Sequence, residues 1–246
     1  KDAQIKFLKR YDLKDINFIF NFAKKKLELH DLKLSLNDSK FTSRNITVEG
    51  NNDSFLIKGL VENKKLNLDD KFLANFLKNN FPNLNFINLD INSKNKFSFR
   101  LDKRFKFNDL KLLSEIEIIN FKLTNKLELK RFFPNIQKEI SFINHLVKVD
   151  YNNNSVLISG KGHLALQDKV DLINYNFLKE KDNVDFKTNL IIDKNPINID
   201  FLNYKKEPNK KVEINFEGTH TLNKKTIIES FFFNEKKNKI KIDQLV

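Results

Sequence analysis

The sequence has no cysteine, no methionine and no tryptophan, and only five glycines among 246 residues. Without cysteine it has no disulfide framework, no cysteine-ligated metal and no thiol nucleophile. Only Gly160 and Gly162 form a close glycine pair, and this pair lacks the third glycine of a dinucleotide-binding loop. It lies inside an alternating strand pattern, where glycine permits either a bend or a close approach of other groups to the backbone. Because a complete translation product begins with methionine, we expect this chain to be a region of a longer protein.

Long apolar runs and catalytic groupings are also missing. No uninterrupted apolar stretch approaches the roughly 18 residues of a membrane helix, so no spanning segment is predicted. The four histidines lie at 30, 145, 163 and 220, in separate segments without metal-ligand spacing. Glu115 and Glu117 share a strand face, but the sequence places no histidine or lysine beside them. We therefore predict a non-enzymatic protein without cofactor, metal or catalytic residue.

The charge is strongly positive, with 45 Lys+Arg against 32 Asp+Glu and a net charge of +13. Only five of the basic residues are arginine, whose planar fork suits phosphate recognition. The 36 asparagines, together with abundant lysine, isoleucine and phenylalanine, are typical of AT-rich coding, which makes proteins basic without selection for phosphate. We interpret the lysine runs as solvated hairpin tips and predict no nucleic-acid partner. These runs are 24–26, 64–65, 205–206, 210–211, 224–225 and 236–237.

Period-two alternation of apolar and polar residues dominates the chain and predicts successive antiparallel strands. The alternation changes parity at His30-Asp31, so we predict a β-bulge near Asp31. Two segments show helical spacing instead. The first is 69–82, which ends at Pro82, and the second is 132–147, where Ile136, Ile140, Ile143 and Val147 follow Pro134.

The predicted fold is therefore mainly β: an extended, curled antiparallel meander with two short helices. We expect one continuous region over residues 1–246, with strands in 1–68, 84–130 and 150–246. The pattern alone leaves open whether the meander closes as a barrel, doubles as a sandwich or forms an open trough. In an open trough the apolar sides of the strands would line a concave, greasy face with polar outer walls.

The residues that we predict to line this face share the apolar parity of their strands. They are Ile16, Phe18, Phe20, Phe55, Ile57, Ile158, Leu164, Tyr175, Phe186, Leu190, Ile199, Phe201, Ile214 and Phe216. Because the phenylalanines follow the same parity as isoleucine, leucine and valine, we favour core or lipid contact over base stacking. The alternative interpretation of the same residues is an ordinary closed core.

Several segments resemble the AsmA-like superfamily of bacterial envelope proteins. In the C-terminal half these are 156–164, 173–175, 186–192, 201–206 and 212–218. In the first sixty residues they are paired short strands, then Phe41, Ile46 and Val48, and a strand that ends in Gly59. The large YhdP-type members are the most similar, with TamB as a more distant relation.

This resemblance implies a periplasmic β-groove in a protein anchored in the inner membrane by a helix outside the present region. It implies transport of phospholipids between the inner and outer membranes, in support of outer-membrane integrity. The expected partners are phospholipid acyl chains, the inner membrane through that anchor, and outer-membrane or periplasmic proteins. The resemblance brings no catalytic residues with it.

Two other functions stay open at this point. One is a structural or adhesion-type β-protein with a sealed core that binds only protein. The other is a basic β-module that binds nucleic acid or an anionic membrane.

Overall fold

The structure is a computed structural model of the chain. It describes residues 5–7, 11–36, 39–69, 85–124, 130, 132–200, 203–221, 225–235 and 238–245. Within these ranges the chain is almost entirely β-strand, and no α-helix occurs.

Sixteen strands are present in the described residues, and most of them are ten residues or longer. They are β1 (Ile5–Phe7), β2 (Tyr11–Ala23), β3 (Lys26–Leu36), β4 (Ser39–Gly50), β5 (Ser54–Asp69), β6 (Asn85–Asp102), β7 (Phe107–Thr124), β8 (Glu139–Asn152), β9 (Ser155–Ala165), β10 (Asp171–Glu180), β11 (Asn183–Ile192), β12 (Ile197–Ile199), β13 (Tyr204–Lys206), β14 (Val212–Thr221), β15 (Thr226–Glu235) and β16 (Asn238–Leu245).

Fourteen of these strands form one sheet in chain order from β1 to β16. Strands β12 and β13 leave this order and pair with each other as a separate two-stranded sheet. The large sheet is an open meander because β1 and β16 lie at its two edges and do not close it into a barrel. The predicted antiparallel meander is therefore confirmed.

The chain divides into two compact units. Unit 1 comprises Lys1–Asn67, Ile91–Ile116 and Lys148–Val156. Unit 2 comprises Leu68–Asp90, Glu117–Val147 and Leu157–Val246. The prediction of one continuous region did not anticipate this division.

A β-bulge at Asp31 preserves the apolar face of β3 and confirms the predicted position. Asp31 has a left-handed backbone, with φ 50°, and the β2–β3 register shifts where it is inserted. Leu29 before the bulge and Leu32 after it therefore face the same side. Asp15 on β2 has φ 54°, and its Oδ2 accepts a hydrogen bond from Ser35 Oγ at 2.9 Å. Aspartate and asparagine tolerate this conformation better than most residues do.

The predicted helix over 132–147 is wrong. Residues 139–147 belong to strand β8, and the segment before them is a series of turns. Buried positions in β8 change parity between Ile140 and His145, on either side of Asn144, which has φ 50°. One extra residue in an alternating strand mimics helical spacing over a single turn, which is the pattern that misled the prediction. The other predicted helix, 69–82, lies outside the described residues except for Asp69, which ends β5.

The interpretation of lysine runs as hairpin tips is correct for Lys24-Lys25 and wrong at two other places. Lys64 and Lys65 lie within strand β5. Lys205 and Lys206 form most of β13, and the side chain of Lys206 is completely buried. Alternation and turn propensity carry no signal for a buried ammonium group, because its partners come from other segments.

The strand assignment of residues 139–152 gives a substitution test at Asn144, whose side chain is exposed. We expect Asn144→Gly to leave the free energy of unfolding unchanged or to raise it, because glycine adopts positive φ without strain. We expect Asn144→Val to lower it by about 1–2 kcal/mol. Urea unfolding measures both values. A helix would give the reverse order, since glycine is the poorer helix former of the two, and that order would contradict the strand.

Candidate functional site

The predicted apolar face exists within each unit as one side of the sheet. In unit 1, Phe20 lies opposite Leu29, which lies opposite Ile46. Val48 lies opposite Ile57 in the same way. Since residues directly opposite each other in paired strands share a face, the predicted residues of unit 1 stand on one side. These are Ile16, Phe18, Phe20, Phe55 and Ile57.

Unit 2 carries the same feature as cross-strand rows of apolar residues over β10, β11, β14, β15 and β16. One row consists of Ile173, Leu190, Ile214, Phe233 and Ile240. The next row consists of Tyr175, Thr188, Phe216, Phe231 and Ile242. Four of the predicted residues, Tyr175, Leu190, Ile214 and Phe216, lie in these rows. Phe186 lies two residues before Thr188 on β11, opposite Phe177 and Gly218.

The opposite face of the same strands is polar and internally hydrogen-bonded. Asn174 Nδ2 donates to Asn189 Oδ1 at 3.3 Å, and Asn189 Nδ2 donates to Asn215 Oδ1 at 2.6 Å. Lys187 Nζ lies 3.1 Å from Glu217 Oε2 on this face. The sheet of unit 2 therefore has one apolar and one polar side, as expected of an antiparallel sheet with one solvated face.

Strand β9 joins the apolar face through its two glycines. A Cβ atom on Gly160 would lie 2.3 Å from the Tyr175 ring, and one on Gly162 would lie 2.4 Å from the His145 ring. Both rings therefore occupy the space above the glycine backbone, which confirms the predicted close approach. Since the glycine positions point toward these rings, Ile158 and Leu164, of the same parity, belong to this face as well.

Aromatic rings continue across the face from these glycines. The rings of His145 and Tyr175 are stacked with centroids 6.1 Å apart, and Phe142 meets His145 edge-on at 5.3 Å. His145 is fully buried, and its Nε2 lies 2.8 Å from the His163 carbonyl oxygen. Burial lowers the pKa of His145 and raises the pKa of Tyr175, so both side chains are neutral near pH 7.

The apolar face is exposed to solvent in unit 1 and partly buried in unit 2. In unit 1, Phe18, Phe20 and Phe55 expose 43%, 64% and 40% of their surface. In unit 2, Tyr175, Phe186, Leu190, Ile214 and Phe216 are only partly buried. Exposure is not confined to this side, because Ile19, Leu157 and Leu172 on the other side of their strands expose 63%, 44% and 43%. The apolar face is distinguished by its cross-strand rows of apolar residues.

One end of the face in unit 2 is closed. A cluster of buried residues consists of Ile192, Ile197, Ile199, Val212 and Phe233, with Tyr204 packed against it. A second cluster consists of Leu123, Ile140, Leu164 and Leu166, and Phe133 packs against both. The covering elements are the β12–β13 hairpin and the turn segment 132–138, joined by a 2.9 Å hydrogen bond from Asn198 N to Phe132 O.

The structure thus corrects the prediction at Ile199. This residue belongs to the hairpin that covers the face and not to the face itself. Phe201 lies outside the described residues. Sequence reasoning also omitted Ile173, Phe177 and Phe231, although the same alternation would have found them.

A buried lysine holds the covering hairpin in place. The Nζ atom of Lys206 donates hydrogen bonds to the carbonyl oxygens of Asp193 at 2.8 Å, Asn195 at 2.7 Å and Glu207 at 3.1 Å. Burial lowers the pKa of Lys206, while the nearby Asp171 carboxylate favours its charged form. Three acceptors satisfy all three protons of an ammonium group, so this buried charge is fully hydrogen-bonded.

Asn195 links the same hairpin to the loop before β10. Its side chain is buried, and its Nδ2 donates to Lys169 O at 2.7 Å and to Asp171 Oδ2 at 2.6 Å. Gln167 Nε2 donates to Pro196 O at 2.9 Å. The closed end is therefore tied down by polar groups that would stay unpaired if the hairpin moved away.

Two of the depressions in the described residues are lined by charged residues paired with each other. In unit 2 a depression of about 390 Å³ includes Lys187 and Glu217. In unit 1 one of about 690 Å³ includes Arg100 and Asp109, whose Nε and Oδ2 atoms are 3.5 Å apart. Among the described residues, no three His, Cys, Asp or Glu side chains are grouped so that they could hold a metal ion. Neither depression presents an arrangement of nucleophile and base.

Comparison with protein-family models, with curated proteins and with solved structures found no match. In the part of the chain that the structure describes, no helix is long and apolar enough to cross a membrane.

The role assigned to Lys206 gives a matched pair of substitutions. We expect Lys206→Met to lower the free energy of unfolding by about 2 kcal/mol or more, because it leaves three carbonyl groups without their donor. The neighbouring Lys205 is exposed, and we expect Lys205→Met to change stability by less than about 0.5 kcal/mol. Urea unfolding of both variants measures the difference. Equal, small effects would show that Lys206 does not hold the hairpin.

Proposed function

We propose that this chain is a non-enzymatic lipid-conducting module whose apolar sheet face binds the acyl chains of phospholipids. The observation that supports this proposal is that apolar side chains stand in register on neighbouring strands and yet remain accessible. In unit 1 Phe20 lies opposite Leu29 and exposes 64% of its surface, and in unit 2 Phe216 lies opposite Phe231 and is only partly buried. A face of this kind offers an acyl chain continuous apolar contact, whereas a closed core offers none.

The energetics of lipid transfer require such a surface. An acyl chain in water is unfavourable by about 0.8 kcal/mol for each exposed methylene group. A carrier must therefore replace water along the whole chain and not at a single point. Rows of isoleucine, leucine and phenylalanine on adjacent strands provide this contact without any specific polar recognition. We accordingly assign a face and no single binding residue.

The resemblance to the AsmA-like superfamily supports a cellular setting for this proposal. We propose that the chain is a periplasmic region of a YhdP-type bacterial envelope protein. In this role it carries phospholipids between the inner and outer membranes and so supports outer-membrane integrity. Its partners are then the inner membrane, through an anchor outside this region, and outer-membrane or periplasmic proteins.

The closed end in unit 2 favours a second candidate, a structural module that binds protein and has a sealed apolar interior. The fully buried Phe233 and Val212 are packed as in an ordinary core. This candidate predicts that no lipid accompanies the protein. It also predicts that a charge introduced anywhere on the face unfolds the domain.

Lipid extraction after detergent-free purification tests the proposal. We expect phospholipid to accompany the wild-type chain, and Phe216→Asp to lose most of it while the strands remain folded. Phe232 lies on the opposite face, since its neighbours Phe231 and Phe233 face the apolar side. We therefore expect Phe232→Asp to retain the lipid. Native mass spectrometry measures the bound lipid, and circular dichroism melts measure folding.

Two further variants keep this test decisive. Phe233→Asp buries an unpaired charge and should unfold unit 2, which calibrates the folding measurement. Phe20→Asp alters a side chain that is already 64% exposed, so it should fold and should bind less lipid even if Phe216→Asp does not fold. Absence of phospholipid from the wild type, or equal lipid on the Phe20, Phe216 and Phe232 variants, would contradict the proposal.

A further inference from the structure

A row of three hairpin turns lies at one end of the unit 1 sheet. The turns are Lys24-Lys25 between β2 and β3, residues 51–53 between β4 and β5, and residues 103–106 between β6 and β7. Direct contacts join them. Gly50 N donates to Lys25 O at 3.0 Å, and Lys103 Nζ lies 3.4 Å from Asp53 Oδ1. We use the name turn row for two of these turns, Lys24-Lys25 and residues 103–106, together with their exposed side chains.

The turn row carries positive charge that no acid of the described chain neutralises. No carboxylate in the described residues lies within ion-pair distance of Lys24, Lys25, Arg104 or Lys106, all of which are exposed. The nearby acids form ion pairs with other lysines: Glu28 with Lys26, Glu49 with Lys58, and Asp53 with Lys103. Asp102 is engaged as well, because its Oδ1 accepts hydrogen bonds from the backbone N–H groups of residues 104 and 106, both at 2.8 Å.

Aromatic side chains stand beside these cations. Phe22 lies two residues before Lys24 and exposes 67% of its surface. Phe105, between Arg104 and Lys106, exposes 76%, and Phe107 exposes 50%. Rings this exposed are unfavourable in water, and those of the turn row lie within a few residues of unpaired cations.

The backbone of the turn row is unfavourable for the residues that occupy it. Lys24 and Lys25 have φ of 49° and 65°, and Phe105 has φ of 57°. A two-residue hairpin turn with positive φ at both positions, such as Lys24-Lys25, favours the sequence Asn-Gly. A bulky residue at positive φ is a rare outlier. Elsewhere such positions hold asparagine, at Asn203 and Asn209, but also lysine, at Lys65 and Lys181, so strain alone does not distinguish the turn row.

We propose that the turn row is a docking surface for an anionic phospholipid bilayer. Lysine and arginine near a membrane surface are attracted to acidic headgroups, and exposed aromatic rings beside them fit the interface between headgroups and acyl chains. A second copy of this chain is a poor occupant, because two turn rows would bring like charges together. The cations of this surface lie at the turns beside the apolar face, to which Phe22 belongs, and they explain part of the basic charge without nucleic acid.

A substitution that relieves the strain while removing the charge tests the proposal. Lys24→Asn with Lys25→Gly restores the favoured turn sequence, so the double variant should be at least as stable as the wild type. We expect its binding to vesicles of phosphatidylcholine with about 30% phosphatidylglycerol to fall about 30-fold, from two lost surface charges. Phe105→Ser should weaken the same binding about tenfold. Sedimentation of the full 246-residue chain with vesicles at low and high salt measures both.

The matched control removes two charges elsewhere, one at the β10–β11 turn and one at the end of β10. Lys179→Asn with Lys181→Gly changes the net charge equally, and Lys181 also has positive φ, at 51°. We expect this control to bind anionic vesicles as the wild type does. Equal loss in both double variants would show non-specific charge attraction and would overturn the proposal, as would tighter binding to DNA than to anionic vesicles. If no phospholipid accompanies the purified chain but it still binds anionic vesicles in a salt-sensitive way, the proposed transport function is overturned and the proposal for the turn row is not.

Discussion

Cross-strand register is the constraint on which the rest of this structure depends. Side chains alternate between the two faces of a strand, so one unbalanced extra residue would move every later apolar side chain to the polar side. The chain meets this constraint with residues in the left-handed conformation, among them Asp15, Asp31 and Asn144. Each lies within a strand, and the bulge at Asp31 returns the following leucines to the apolar face. The apolar rows of both units exist because these inserted residues keep the apolar side chains of neighbouring strands on the same face.

The apolar face that results is closed at one end of unit 2, partly buried in the rest of that unit and exposed to solvent in unit 1, over what the structure describes of it. Closure depends on a short hairpin, β12–β13, which contributes Ile197 and Ile199 to a buried cluster and is held by a buried ammonium group. Phenylalanines on this face therefore differ in burial according to whether the hairpin covers them. Phe233 is completely buried under the hairpin, whereas Phe216 on the neighbouring strand is only partly covered. A lipid-conducting module needs partly covered residues such as Phe216, and a stable domain needs buried residues such as Phe233.

Local alternation predicts the strands, the bulge at Asp31 and most of the apolar face, because each depends on residues close together in sequence. The failures all involve distant partners or an inserted residue. Asn144 turned the alternation of β8 into apparent helical spacing, and Ile199 follows strand parity although it packs as a cover. The burial of Lys206 depends on carbonyl groups at 193, 195 and 207 that no pattern brings together. The strain at Phe105 is likewise a property of the folded turn alone.

Accessibility of the apolar face is the central claim, and the absence of native cysteine allows it to be measured directly. Phe216→Cys and Phe233→Cys each introduce a single thiol on the same face of neighbouring strands, and the rate of modification by a small maleimide reports its exposure. The account predicts that the thiol at 216 reacts within about tenfold of its rate in the unfolded chain, while the thiol at 233 is protected until unit 2 opens. Equal, strong protection at both positions would mean that the face is sealed and would contradict the account.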